Sequence, residues 1–182
     1  MLALAVVACG GTRTGGSDPA RVAAQGVRAV GAKDWSALAR LAHPTLGIRF
    51  SPYAYVDTTT GVVLSASEVA ALGNDSGVRL WGRYDGSGEP INLAFPAYFA
   101  RFVYDRDFAQ VAPGPPDVRL GKGNSTDNIL AVYSPRRVMF FEYHVPGTER
   151  YNGMDWGSLR LVLEQVEERW YLIALVHDEW TI

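Results

Sequence analysis

The chain of 182 residues has one cysteine, Cys9, and only three histidines. A single cysteine excludes an intramolecular disulfide framework. The 17 basic and 19 acidic residues are scattered and give a formal net charge of −2, without any basic run. Nucleic acid is therefore not an expected partner. Beyond residue 9, no stretch approaches the roughly 20 consecutive apolar residues that a membrane-spanning helix needs.

What the chain does contain is typical of a folded globular protein. Its hydrophobic content of 48% and charged content of 20% match an ordinary soluble domain rather than a disordered segment. The length suits one domain with a substantial core. We predict a single α+β domain over residues 18–182.

The N-terminus has a different composition. Residues 1–8 form an uninterrupted apolar run, Cys9 follows, and residues 10–17 are rich in Gly, Ser and Thr. The run Val6-Val7-Ala8-Cys9 resembles the lipobox of bacterial lipoproteins, which implies a signal over residues 1–9 that ends at a lipidated Cys9. Residues 10–17 would then be a flexible tether to the membrane surface. No Lys or Arg precedes the run, which leaves open a start further upstream, or an apolar N-terminus that is not a signal.

Helical signals come next, followed by a polar strand pattern. Asp18 with Pro19, and later Asp34, are typical helix N-termini, and Pro44 ends the second helical pattern. From residue 48 to residue 57 the side chains alternate between polar and apolar. A strand with a period of two would place four candidate ligand-binding residues on one face, namely Arg49, Tyr53, Tyr55 and Asp57. That face is either the lining of a polar pocket or a solvated surface.

The last third is rich in aromatic and branched residues. Residues 137–145, 158–165 and 170–180 are predicted strands. The final strand is apolar on both faces, which indicates a central position covered on each side. We predict N-terminal helices packed on a curved, mainly antiparallel sheet.

The order of these elements resembles the nuclear transport factor two-like superfamily, which has a cystatin-like α+β cone. Several segments are also similar to a family of bacterial lipoproteins: His43-Pro44, residues 47–53, 84–90, 121–125 and 154–156, and the closing residues 176–182. The likeness implies a cone-shaped domain in the bacterial envelope but no particular reaction. Members of the superfamily include isomerases, dehydratases and cyclases that use an Asp/His pair, beside many binding domains.

A second polar group could carry chemistry in the predicted sheet. Glu142 and His144 share a strand face, and Arg160 could join them from the neighbouring strand. A carboxylate raises the basicity of an adjacent imidazole, as a general base needs. The alternative, which we favour, is an ordinary charge cluster on the outer face of the sheet. A metal site made of Glu142, His144 and His177 has suitable ligand types but no supporting spacing, so no metal and no other cofactor is expected.

Together these patterns predict a membrane-anchored extracytoplasmic lipoprotein, held through lipid on Cys9, that binds a small molecule or an envelope protein. The alternative is an enzyme of the isomerase, dehydratase or hydrolase kind that uses Asp57, or Glu142 and His144 with Arg160 or His177. An enclosed cavity shared by Glu142, His144 and Arg160 with Tyr53 and Tyr55 would favour the enzyme.

Overall fold

The computed structural model describes residues 18–133 and 136–181, so the predicted lipidation site Cys9 and the tether 10–17 lie outside the described residues. The α-helices in these ranges are α1 (Pro19–Gly31), α2 (Trp35–Leu41), α3 (Ala66–Ala71), α4 (Phe95–Phe102) and α5 (Ile129–Tyr133). The strands are β1 (Ile48–Ser51), β2 (Val63–Leu64), β3 (Val78–Arg83), β4 (Pro90–Ala94), β5 (Val138–Val145), β6 (Gly157–Val166) and β7 (Arg169–Glu179). None of the described helices combines the length and the apolar character needed to cross a membrane.

The first two helices begin where the sequence predicts. The Asp18 side chain accepts a hydrogen bond from the amide of Ala20, and Pro19 occupies the first helical turn. The Asp34 side chain accepts from the amide of Ala37 at 2.8 Å. Each aspartate satisfies an amide that has no partner inside its helix, so both caps are confirmed.

The main sheet has the strand order β2-β1-β7-β6-β5. Strand β1 runs parallel to β7, and the other pairs in this sheet are antiparallel. Strands β3 and β4 form a separate antiparallel pair. The α+β class with a curved, mainly antiparallel sheet and helices packed on it is therefore confirmed.

Strand β7 is central and is buried on both faces, as predicted. Leu172 and Leu175 belong to the larger core beneath α1 and α4. Ile173 and Ala174 both belong to a second apolar cluster, on the side covered by α5. Both lie on that side because the β6–β7 register shifts between Val162 and Leu163, a β-bulge that breaks simple alternation.

The predicted strand over residues 48–57 is wrong beyond Ser51, where β1 ends. Pro52 has no amide hydrogen to continue the ladder. The Ser51 hydroxyl instead donates to the carbonyl oxygens of Tyr53 and Tyr55, which turns the chain back on itself. Consequently the two tyrosines do not share a strand face: Tyr53 is buried, whereas Tyr55 is 58% exposed.

Two glycines with the same backbone conformation give a clean stability test. Gly47 and Gly88 have φ angles of +67° and +70°. A Cβ at Gly47 would lie 2.2 Å from the carbonyl oxygen of Leu64, whereas one at Gly88 would meet nothing within 4 Å. We expect G47A to lower the free energy of unfolding by about 3 kcal/mol and G88A by about 1 kcal/mol, measured by urea denaturation. Equal losses would contradict the close packing of β1 on β2.

Candidate functional site

An open cleft of about 610 Å³ lies beside the segment that follows β1. Its volume falls in the range of about 300–1,000 Å³ that is usual for small-ligand pockets. We call it the tyrosine cleft. Its polar and aromatic lining comprises Ser51, Tyr53, Tyr55, Asp57, Thr60, Trp81, Arg83, Tyr84, Asp85, Asn124, Ser125 and Thr126.

Tyr53 and Tyr55, two of the four predicted ligand-binding residues, line the tyrosine cleft. Tyr55 is 58% exposed and presents its ring at the cleft. Tyr53 lies deeper, with its ring edge against Phe102. Burial raises the pKa of Tyr53, so its phenol stays neutral and can both donate and accept a hydrogen bond.

The other two residues hold the loop that borders the cleft. The Asp57 carboxylate accepts hydrogen bonds from the amides and hydroxyls of Thr59 and Thr60. These bonds hold the pKa of Asp57 far below its usual range, which makes it a poor general base. Arg49 is not among the lining residues, and its guanidinium donates to the carbonyl oxygens of Asp57 and Gly61 at 2.9 and 3.1 Å.

The opposite wall of the cleft is anchored by a buried charge network. Arg160 on β6 is fully buried and donates to Glu142 on β5 at 3.0 Å and to Asp178 on β7 at 2.6 Å. The Glu142 carboxylate also accepts from the amides of Leu120 and Gly121, at 2.9 and 2.7 Å. The network thereby fastens the start of the segment that carries Asn124, Ser125 and Thr126.

Two further residues of this segment join the network. Arg119 reaches Asp178 at 3.3 Å and donates to the carbonyl oxygens of Gly121 and Ser125. Asp127 approaches the remaining nitrogen of Arg160 at 3.6 Å. Two guanidinium groups therefore face three carboxylates under one loop.

Burial and the nearby charge of Arg160 shift the pKa values of Glu142 and Asp178 in opposite directions. Burial alone would raise the pKa of Glu142, but Arg160, the Ser158 hydroxyl and the Gly121 amide outweigh it and hold that pKa below its usual value. At Asp178 burial prevails over the attraction of Arg160 and raises the pKa. The more strongly hydrogen-bonded carboxylate is thus the one that stays more readily ionised.

Glu142, His144 and Arg160 lie on one face of the sheet, as the sequence predicts. Glu142 pairs with Arg160 and His144 with Ser158 in the β5–β6 register. The favoured interpretation of an ordinary outer-face cluster is wrong about its surroundings, because Glu142 and Arg160 are both fully buried. None of the three lines the tyrosine cleft. His144 instead borders a shallower groove with Trp156 and Trp180.

His177 lies on the other side of the sheet from Glu142 and His144. His177 pairs with Leu159, which precedes Arg160 on β6 and therefore points to the opposite face of the sheet. The His177 ring contacts Phe102 in the larger core. A site made of Glu142, His144 and His177 is therefore not assembled. The His177 ring instead approaches Asp105 and shares a strand face with Glu179.

Several residues of the cleft were missed because they lie in turns. Asp85 accepts hydrogen bonds from the hydroxyls of Ser125 and Thr181, at 3.1 and 2.6 Å. It thereby joins the turn after β3, the loop after Gly121 and the C-terminal end. The Gly-rich composition of residues 85–90 and 121–125 marks them as loops. Nothing in that composition says that the loops meet.

The buried network predicts a large asymmetry between two arginine substitutions. R160M leaves Glu142 and Asp178 buried without their main counter-charge, so we expect a loss of about 3–5 kcal/mol in the free energy of unfolding. Adding E142Q should recover part of that loss, because one uncompensated charge is removed. The control R79M breaks a partly exposed pair with Asp75 and should cost at most about 1 kcal/mol. Similar losses in urea denaturation of R160M and R79M would contradict the assignment.

No protein-family model matches the chain, and no curated protein matches it either. The geometry of the tyrosine cleft and of its anchoring network therefore carries the functional argument.

Proposed function

We propose that the chain is a membrane-anchored lipoprotein of the bacterial envelope whose folded domain binds a small ligand in the tyrosine cleft. The single observation that carries the binding proposal is the exposed Tyr55 ring at the edge of a cleft of about 610 Å³. A large aromatic side chain left exposed beside a concave polar surface is typical of a recognition site. An envelope protein that inserts a side chain into the same cleft is the alternative occupant.

The lining favours an uncharged ligand that is rich in hydroxyl groups. Tyr55 and Tyr84 offer aromatic surface, while Asp85, Asn124 and Ser125 offer acceptors and donors. Arg83 is the one cation among the described lining residues, and Asp57 and Asp85 line the same cleft, so the lining has no excess of positive charge that would mark an anion site. Aromatic faces next to planar polar groups suit the alternating apolar and hydroxyl faces of a sugar.

Binding is favoured over catalysis by the contents of the cleft. Among the described residues that line it there is no histidine, glutamate or lysine. Asp57 is held ionised by Thr59 and Thr60, and Glu142 is enclosed by Arg160 and two backbone amides. The residues proposed for the enzyme alternative are therefore not arranged around a common substrate position.

The anchor follows from the resemblance at the N-terminus. Asp18 is nine residues along the chain from Cys9, and nine extended residues reach at most about 32 Å. Lipid on Cys9 would thus keep the domain close to the bilayer surface. Stable anchoring requires more than one acyl chain, as bacterial lipoproteins carry.

Ligand binding can be tested with two exposed tyrosines. A thermal-shift screen of the full-length chain against neutral mono- and disaccharides, sugar phosphates and amino acids should yield a stabilising neutral sugar. Y55A should weaken that binding at least tenfold in calorimetry without lowering the melting temperature. The matched control is Y151A, because Tyr151 is 50% exposed and lies outside the cleft. A screen without a stabilising compound, or binding unchanged in Y55A, would count against the proposal.

The anchor has an independent test. Mass spectrometry of the protein from cell membranes should find an acylated Cys9 as the first residue. C9S should move the protein from the membrane fraction to the soluble fraction. An unmodified cysteine behind an intact Met1 would rule the anchor out and leave the binding proposal untouched.

A further inference from the structure

A buried histidine and two carboxylates meet at the end of β7, outside the tyrosine cleft. A carboxylate oxygen of Asp105, a ring nitrogen of His177 and a carboxylate oxygen of Glu179 all lie within 4.8 Å of one another. Asp105 follows α4, whereas His177 and Glu179 are two residues apart on β7 and therefore point to the same face. We call this group the His177 cluster.

The hydrogen bonds of His177 show which ring nitrogen is available. Nδ1 lies 3.1 Å from the carbonyl oxygen of Pro52, and Nε2 lies 3.1 Å from a carboxylate oxygen of Asp105. A carbonyl oxygen can only accept, so the proton must be on Nδ1. In the neutral ring Nε2 then bears a lone pair and faces another acceptor. That contact is unfavourable unless a cation lies between the two atoms.

His177 is fully buried, and both of its ring nitrogens face acceptors. A cation at Nε2, either a second proton or a metal ion, makes both contacts favourable. Glu179 adds a second carboxylate oxygen near the same nitrogen, which completes a set of three ligand atoms for a metal ion.

We propose that the His177 cluster binds a divalent transition-metal ion through Nε2 of His177 and the carboxylates of Asp105 and Glu179. The bond from Nδ1 to a backbone carbonyl is the outer contact that metal-binding histidines usually make. Ligand atoms about 2.1 Å from a tetrahedral ion lie about 3.4 Å from one another, so the widest separation in the cluster needs to contract by at most about 1.4 Å.

The ligand set selects the class of ion. One imidazole and two carboxylates suit zinc, cobalt or manganese better than calcium or magnesium, which prefer oxygen ligands alone. Three protein ligands leave at least one coordination position open. Glu179 borders a groove that shares Tyr53, Tyr84 and Asp85 with the tyrosine cleft, which gives an entry path from solvent.

Two arginines hold the carboxylates in place. Arg101 donates to both oxygens of Glu179, and Arg106 pairs with the Asp105 oxygen that does not face His177. The Arg101 side chain is 45% exposed and can move into solvent when an ion takes a Glu179 oxygen. Each carboxylate oxygen has more than one lone pair, so Glu179 can also keep part of its contact with Arg101.

Titration with metal alone tests the proposal. The full-length chain carrying C9S, so that no thiol contributes a ligand, is stripped with a chelator and titrated with zinc by calorimetry. We expect one ion per chain, and a rise in melting temperature of about 5 °C or more at zinc a hundredfold above the dissociation constant. Cobalt should give a saturable visible absorption spectrum with the same stoichiometry.

Matched variants locate the site. D105N and E179Q should each weaken zinc binding at least tenfold, and H177Q should abolish it. The control H144Q makes the same chemical change at a histidine outside the cluster and should bind like the parent chain. Because His177 is fully buried, D105N and E179Q carry the test if H177Q does not fold. Nitrogen-15 spectra should show a zinc-dependent shift at Nε2 of His177.

Three results would overturn the proposal. The first is the absence of saturable zinc and cobalt binding. The second is binding that D105N and E179Q leave unchanged, or that H144Q removes. The third is a His177 ring protonated on both nitrogens at neutral pH and insensitive to zinc, which would make the contact with Asp105 an ordinary ion pair.

Discussion

The structure depends on the fully buried guanidinium group of Arg160. Arg160 lies at the middle of β6 and holds a carboxylate on each neighbouring strand, so it ties β5, β6 and β7 together by charge as well as by their backbone ladders. The same carboxylates take amides and a second arginine from the loop above. Because each buried charge depends on the others, the loop cannot lift without leaving one of them unpaired. Lifting the loop wall of the tyrosine cleft would therefore cost the pairing of a buried charge.

The cleft and the His177 cluster hold their polar groups in different ways. In the cleft, hydroxyls and carboxylates are engaged with one another at the rim, and aromatic surface is left exposed. In the cluster, a fully buried imidazole faces two partly buried carboxylates. The two share a border at Tyr53 and Tyr84. A ligand in one and an ion in the other would therefore be close neighbours.

The parts of this architecture that could be predicted from sequence are those set by short-range rules. Asp18 and Asp34 cap helices through amides within three residues, and the pairing of Glu142 with Arg160 follows from strand alternation. The path of the chain beyond that turn, at Val56, could not be predicted, since the amide and carbonyl of Val56 are held by the side chain of Asn128, 72 residues away. The bulge in β7 likewise depends on its neighbour β6 and leaves no mark in local composition. The cleft residues supplied by turns were missed for the same reason.

The parallel pairing of β1 with β7 has a consequence for how the chain is made. Phe50 pairs with Leu175, so β1 joins the rest of the main sheet only through β7, the last strand in the sequence. Until β7 leaves the ribosome, β1 has no partner on that side, and the larger core lacks Leu172 and Leu175. Contacts this distant in sequence also form slowly, because a long loop must close first. The main sheet of this topology therefore cannot be completed until β7 has been synthesised.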